Sequence, residues 1–534
     1  MQAVTDRRWV LVPPTTGIHR RARSCVERSD RPEGSSPGGP FYAAGVSIRP
    51  VAALLALMLV AAGCATTLDV NIRTEAGGPI SAGPDEPADT DEPGSIEEPT
   101  ADPTAEPTAV PTVEPTPEPL PDLGYEEAIG VYFADVERFW GREAGKLGIS
   151  AFAPVDDQIP YDPSEPGAVP TCGGELGPLA IYVGNAFYCS PDDYIAWDDV
   201  GLFPDLYDQY GDFTVGLVIA HEYAHAVQAR ANLDGPTIFV ELQADCLAGA
   251  WAGAVAAGAS EVLFDPTDLD NAIGGFLTFA DPLGTPAGDP TAHGTAFDRL
   301  NAFAEGFELG VDACPAFLTN PPQTASLTVD LGDENAGDLP LASLLPILVD
   351  DLTNYLDIIG RDLLGPDFVG PQALVEFGAG IGDPADCGGL SVDAQALAGS
   401  VYYCELTRTV AIDRAELESA WNDAGDFAPA YAVAHAYATS VASPLGATAA
   451  DVILVADCIV GVWARNVFEA TENPPPPRVH SVFLSAGDLD EGIVGLLTIA
   501  PVGVSLAPTG PIAVFDRVAA FTDGFFDGSS SCAR

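Results

Sequence analysis

Basic residues are scarce. The chain of 534 residues has a single lysine, Lys146, and lysine and arginine together number 21 against 78 aspartates and glutamates, a formal net charge of −57. A field of that sign repels nucleic acid and anionic lipid, so no nucleic-acid partner is expected. The acidity reads as a solvated surface rather than a cation-binding device. No Cys-x-x-Cys pair occurs among the ten cysteines, which weighs against thiolate zinc sites. The apolar run Val51–Ala65 is short of the roughly 20 residues that a membrane span needs. What is present in quantity is apolar side chain, 47% of the chain, enough for a sizeable core and more than one domain.

That short apolar run has a positive residue before it and small residues after it, the pattern of a secretory signal. The box "AAGC" at Ala61–Cys64 resembles a bacterial lipoprotein signal, in which cleavage before Cys64 leaves a lipidated cysteine. Ordinary cleavage and secretion is the alternative. Residues 1–63 are thus a signal region. Within it, residues 1–45 are Arg-rich and broken by Pro and Gly, as a mis-called start would be, with translation beginning near Val46. Residues 64–122, with "EPTADPTAEPTAVPTVEPTPEP", are acidic, Pro/Thr-rich and nearly free of aromatics. Such a segment buries too little apolar surface to offset its ordering entropy, and a disordered tether is expected.

Past residue 122 the sequence repeats itself. "TCGGE" at Thr171 answers "DCGGL" at Asp386, "GDF" at Gly211 answers "GDF" at Gly425, "ADCLAGAWA" from Ala244 answers "ADCIVGVWA" from Ala456, and "FDRLNAFAEGF" from Phe297 answers "FDRVAAFTDGF" from Phe515. A tandem duplication is expected, with copies at 123–317 and 345–534 and a linker at 318–344. Cys172, Cys189, Cys246 and Cys314 fall in the first copy, and Cys387, Cys404, Cys458 and Cys532 in the second. An even set in an exported chain reads as disulfides, with Cys172–Cys189, Cys246–Cys314 and their counterparts favoured. Zinc binding by these cysteines is the rival reading.

The segment "DFTVGLVIAHEYAHAVQARA" has the length and apolar spacing of a buried helix. On it His221 and His225 stand at i and i+4, so both rings leave one face, as two ligands of one tetrahedral zinc require. Glu222 lies between them, placed to take a proton from water. Tyr223 faces the other way. The rival is a core helix that happens to carry two histidines. A third histidine six residues on is absent, since position 231 is Ala and position 228 is Gln, which excludes a metzincin. A second apolar helix, "FVELQADCLAGAWAGAVAAG", supplies Glu241 as third ligand, and Asp245 one turn later can orient a ligand histidine. Glu-x-x-x-Asp after His-Glu-x-x-His is the gluzincin arrangement.

Taken together, "FYC", "DDYIAWD", "GDF", "VIAHEYAHAVQ" and "ELQADCLAGAWA" resemble the bacterial neutral zinc metallopeptidase family over most of residues 123–317. The resemblance implies an α-rich α+β fold of gluzincin-like type and hydrolysis of peptides. The chain departs from the family in a short connection between Gln228 and Glu241 and in Tyr223, Ala224 and Ala226, changes that bear on pocket shape.

The second copy places His435 opposite His221, Ala436 opposite Glu222, Thr439 opposite His225 and Ile453 opposite Glu241, while Asp457, Cys458 and Trp463 persist. It reads as a pseudo-peptidase domain, so one Zn²⁺ per chain is expected, in the first copy. Features shared by both copies, such as Trp251, the cysteines and Asp298-Arg299 (read as a buried ion pair), are structural candidates. His293 is peculiar to the first copy, and reads as a loop histidine, with a transition-state donor as alternative. The whole points to an exported, membrane-anchored or secreted zinc peptidase acting on a peptide or protein substrate. The alternative is a non-enzymatic envelope lipoprotein built from two peptidase-like modules.

Overall fold

The computed structural model describes residues 123–534, apart from stretches within 326–336, 384–398, 473–479 and 499–512 and single positions at 166, 263, 290, 379, 447 and 534. The expected signal region, Cys64 and the tether 64–122 lie outside the described residues. The first series of elements is α1 (Tyr125–Glu143), β1 (Asp157–Tyr161), β2 (Ala186–Cys189), β3 (Tyr194–Asp198), α2 (Leu202–Tyr210), α3 (Asp212–Ala231), α4 (Thr237–Ala256), α5 (Pro266–Thr278), α6 (Ala296–Leu309) and the single turn α7 (Ala316–Thr319). The second is α8 (Leu341–Leu364), β4 (Ala373–Phe377), β5 (Val401–Cys404), β6 (Thr409–Asp413), α9 (Arg414–Ala424), α10 (Phe427–Ala442), α11 (Ala449–Glu472), α12 (Asp488–Thr498) and α13 (Val514–Asp527). The fold is α-rich α+β, as expected. Each sheet has three strands, ordered β1-β3-β2 and β4-β6-β5. In both, the central strand pairs parallel to the first and antiparallel to the second.

Sequence chemistry sets the limits of the two helices that matter most. Gly211, at φ 83°, precedes α3, and Asn232, at φ 54°, ends it in the left-handed conformation that Asn tolerates. Pro236 stands just before α4, where its missing N–H costs nothing. Both helices are apolar on most faces because both are surrounded by protein. α4 is long and apolar enough to cross a membrane, yet it is mostly buried as a core helix.

α4 and α6 pack backbone to backbone. A Cβ added to Gly306 would sit 1.8 Å from the Cys246 carbonyl oxygen, and one on Gly249 2.0 Å from that of Phe303. In the second series, Gly524 and Gly461 allow the same approach, with Cβ positions 1.9 Å from the Cys458 oxygen and 2.0 Å from the Phe521 oxygen. Disulfides close each pair: Cys246–Cys314 and Cys458–Cys532 have Cα separations of 5.6 and 5.4 Å. Cys172–Cys189 and Cys387–Cys404, at 5.7 and 5.0 Å, tie each sheet to its preceding loop. All four pairings are those favoured from the sequence.

The two halves share one hydrophobic core. Phe297 of α6 packs on Phe521, Phe525 and Phe526 of α13, with ring centroids 5.3, 5.0 and 5.6 Å away. Phe515 of α13 returns the contact to Phe303 and Phe307, at 5.9 and 5.2 Å. α8 begins at Leu341, inside the stretch expected as linker, because Leu341, Leu344, Leu345 and Leu348 bury themselves in that core.

One substitution type should therefore act with opposite signs at two places. Gly306→Ala forces α4 and α6 apart and should cost about 1–3 kcal/mol or more, as overpacking does. Gly130→Ala, on the exposed side of α1 with nothing within 4 Å of its Cβ position, should gain about 0.5–1 kcal/mol from helix propensity. Denaturant midpoints of the two variants check this.

Candidate metal centre

α3 and α4 bring three donor atoms to one point. His221 Nε2 lies 3.1 Å from His225 Nε2 and 3.2 Å from Glu241 Oε2, and His225 Nε2 lies 3.3 Å from that same oxygen. Three ligands at the usual zinc distance of about 2.0–2.1 Å in a tetrahedron stand about 3.3 Å apart. The triangle fits that geometry, and its two imidazoles and one carboxylate are a zinc donor set rather than a calcium or magnesium one. Among the described residues the only other group of acids close enough to hold an ion, Asp338, Asp426, Asp488 and Glu491, contains no histidine.

The far nitrogen of each imidazole is held by the protein. His221 Nδ1 is 2.9 Å from Asp245 Oδ1, the role expected for Asp245. His225 Nδ1 is 2.8 Å from Gln228 Oε1. Gln228 is fixed in that orientation because its amide nitrogen donates to the Val240 carbonyl at 2.7 Å and to Gln243 Oε1 at 3.1 Å. Both rings therefore carry hydrogen on Nδ1 and turn Nε2 to the centre. Gln228 was legible only as the absence of a metzincin glycine. Its i+3 spacing from His225 was the signal that could have revealed it.

The reading of Asp298 and Arg299 as an ion pair is corrected. Neighbours on a helix point about 100° apart and do not face each other. Arg299 instead clamps Asp245 through two bonds, Nε to Oδ2 at 2.8 Å and Nη2 to Oδ1 at 2.9 Å, and donates Nη1 to the Phe279 carbonyl at 3.0 Å. Asp298 accepts the Ala325 N–H at 2.8 Å, and burial pushes its carboxyl up to about 7.

A cavity of about 610 Å³ opens onto the three donors, lined among others by Phe187 and Tyr188 of strand β2 and by Phe276 and Phe279. Glu222 lies on its wall and makes no hydrogen bond among the described residues. His293, in the loop before α6, also lies on that wall, half-exposed, with Nδ1 3.4 Å from Asp281. Tyr223 points away and donates to Glu137 at 2.9 Å.

In the second half the corresponding side chains are buried. The Tyr431 hydroxyl donates to Asp457, His435 Nε2 is 3.3 Å from the same carboxylate, and Ala436, Thr439 and Ile453 are buried. Arg517 clamps Asp457 at 2.9 and 3.1 Å as Arg299 clamps Asp245.

Burial disfavours charge on His221, but Asp245 and Glu241 outweigh it and push the imidazole up to about 10. Burial likewise opposes charge on Glu241, yet His225 and His221 hold it well below the usual carboxylate range. Without metal, His221 is thus protonated at pH 7, because its folded value lies above the ordinary 6.5. Zinc must displace that proton. Calorimetry at pH 7 in buffers of different ionisation enthalpy should read at least about one proton released per zinc, and apparent affinity should weaken as the pH falls. Proton-neutral binding would rule this charge state out.

Residues 171–317 match the family described as "Putative neutral zinc metallopeptidase". Uncharacterized protein YpfJ of Escherichia coli strain K12 is 28% identical over 214 residues, covering 35% of this chain and 69% of its own. Uncharacterized protein Rv2575 of Mycobacterium tuberculosis strain H37Rv is 31% identical over 166 residues, 26% of this chain and 56% of its own. No solved structure gives a significant match. The matched segment, residues 171–317, contains both helices of the metal centre.

Proposed function

We propose that the chain is an exported, membrane-anchored zinc peptidase, formed by tandem duplication, whose second copy has lost its chemistry. The observation that carries the reading is the triangle of His221, His225 and Glu241 on a cavity that Glu222 also lines, its carboxylate making no hydrogen bond among the described residues. His221, His225 and Glu241 would hold one zinc per chain. Zinc bound there supplies Lewis acidity for a carbonyl and lowers the pKa of water.

The chain's own groups supply the rest. Glu222, on the cavity wall beside the three donors, takes the proton of the attacking water and passes it to the leaving amine. His293, steadied by Asp281, offers its other ring nitrogen to the oxygen on which negative charge develops. Asp245 and Gln228 hold the two rings in position. Phe187, Leu217, Val218, Phe276 and Phe279 give part of the cavity wall an apolar surface, suited to an apolar side chain beside the scissile bond.

Four disulfides accord with an oxidising, extracytoplasmic compartment. Lipidation at Cys64 would anchor the folded part through the acidic tether. The second half is read as non-catalytic because Thr439 and Ile453 stand in place of two of the three ligands and Ala436 in place of the base, with His435 alone retained.

Glu222→Gln should keep zinc and lower peptide turnover by about 10²–10⁴-fold, since an amide accepts no proton. Glu241→Gln should lose zinc first and activity as a consequence. His293→Ala should keep zinc and lower kcat by about 10-fold or more. Zinc content and turnover measured side by side test the assignment. Full activity in Glu222→Gln, or undiminished zinc in Glu241→Gln, would falsify it. The anchor is tested separately: Cys64→Ala should move the protein from the membrane fraction to the soluble one.

A further inference from the structure

We propose that Asp490, in the second half of the chain, is a positioning residue for the metal centre in the first. The inference rests on the reading of His221, His225 and Glu241 as zinc ligands. It begins at the N-terminus of α6. The carboxylate of Asp490, on α12, reaches across and accepts the N–H groups of Phe297 at 2.8 Å and Ala296 at 3.2 Å. Thr295, the residue before the helix, accepts the next N–H, that of Asp298, at 3.1 Å. The first three N–H groups of α6 are thereby satisfied, two of them by a residue almost two hundred positions away.

A carboxylate on these donors at the positive end of a helix is held by charge as well as by hydrogen bonds. It fixes where α6 starts. Arg299 is the fourth residue of that helix, and its backbone is set by the first turn. Arg299 clamps Asp245 through both oxygens, and Asp245 holds His221 Nδ1 at 2.9 Å. The sequence of contacts from Asp490 to the His221 ring runs through one helix turn, one guanidinium and one carboxylate. A second-half residue thus determines the aim of a first-half ligand.

The same contact exists in reverse, and it provides an internal control. "DLDNAIGGFLT" at 268–278 matches "DLDEGIVGLLT" at 488–498, so Asp270 of α5 corresponds to Asp490. Asp270 accepts the Phe515 N–H of α13 at 2.9 Å and also that of Val514. Its downstream clamp is Arg517 on Asp457, which ends at Tyr431 and His435 and reaches no metal ligand. Asp490 and Asp270 therefore make equivalent contributions to joining the halves, and only Asp490 leads to the centre.

The experiment compares Asp490→Asn and Asp270→Asn in the full chain. Three quantities are read: the unfolding midpoint, the rate of zinc loss to a chelator, and the visible spectrum of the cobalt-substituted protein. Both variants should lower the midpoint to a similar extent. Asp490→Asn should in addition speed zinc loss by about 10–100-fold, the usual effect of disturbing a partner of a ligand, and shift the cobalt bands. Asp490→Glu, which keeps the charge, should restore part of both. Asp270→Asn should leave zinc loss and spectrum at parental values. If Asp490→Asn does not fold, Asp490→Ser, smaller and still an acceptor, takes its place with the same expectation. The inference fails if the Asp490 variants match the parent in both metal readouts, or if Asp270→Asn disturbs them equally. A parent chain that binds no zinc overturns the metal reading itself, and this inference with it, whereas a zinc-bound parent with unchanged Asp490 variants overturns this inference alone.

Discussion

The clamp of Arg299 on Asp245 is the interaction around which the first half is arranged. Both side chains are buried. Taking two charges out of water is costly, and the cost is recovered only if nearly every donor and lone pair is used. Here every polar atom of both side chains is engaged. Asp245 Oδ2 takes one guanidinium N–H, and Oδ1 takes another and faces His221. Arg299 gives its remaining arm to the Phe279 carbonyl at the end of α5. Burial alone would raise the Asp245 carboxyl. Arg299 and His221 reverse that, so it stays ionised at neutral pH. One ion pair thus joins α4, α5 and α6 and presents a fixed anion to a histidine of α3.

The second half isolates what that pair does without a metal. Arg517 and Asp457 repeat it, with the same glycine contacts and disulfide behind them. There the spare capacity of the carboxylate goes to a tyrosine hydroxyl, while Nε2 of the buried His435, 3.3 Å away, makes no hydrogen bond among the described residues. The clamp therefore belongs to the frame, and the centre in the first half is an addition to it. What distinguishes the halves is the small set of side chains projecting into the space between helices: beside one imidazole common to both, a second imidazole, two carboxylates and an amide in the first, and Tyr431, Ala436, Thr439 and Ile453 in the second. Frame and chemistry vary independently because close backbone packing of α4 on α6 and of α11 on α13 does not depend on what fills the neighbouring space.

The halves are also bound to one another. Phe297 and Phe515 cross into each other's helix pairs, and the aspartates of α5 and α12 each satisfy the start of a helix in the other half. Exchange of equivalent groups in both directions is the pattern of an isologous interface, in which one surface meets its own likeness. Here it is built within a single chain.

By itself the sequence determined what local rules govern. The i, i+4 spacing of His221 and His225 put two rings on one face, and helical period alone suffices for that. Glu241 and Asp245 stood out as acids in an apolar helix. The even, recurring cysteines pointed to the favoured pairing, and the segments "DDYIAWD" and "GDF" became β3 and the start of α3. Only the tertiary structure decided which distant groups meet. Arg299 follows Asp298 in the chain, so sequence proximity offered a pair that helix geometry forbids, and the true partner lies 54 residues away on another helix. Gln228 gained its meaning from the Val240 carbonyl and Gln243, which a sequence does not place beside it. Asp490 was one acid among 78 until folding set it against the start of α6. The reason is common to all three: a hydrogen bond between residues far apart in the chain leaves no periodicity behind, and its existence depends on where whole helices come to rest.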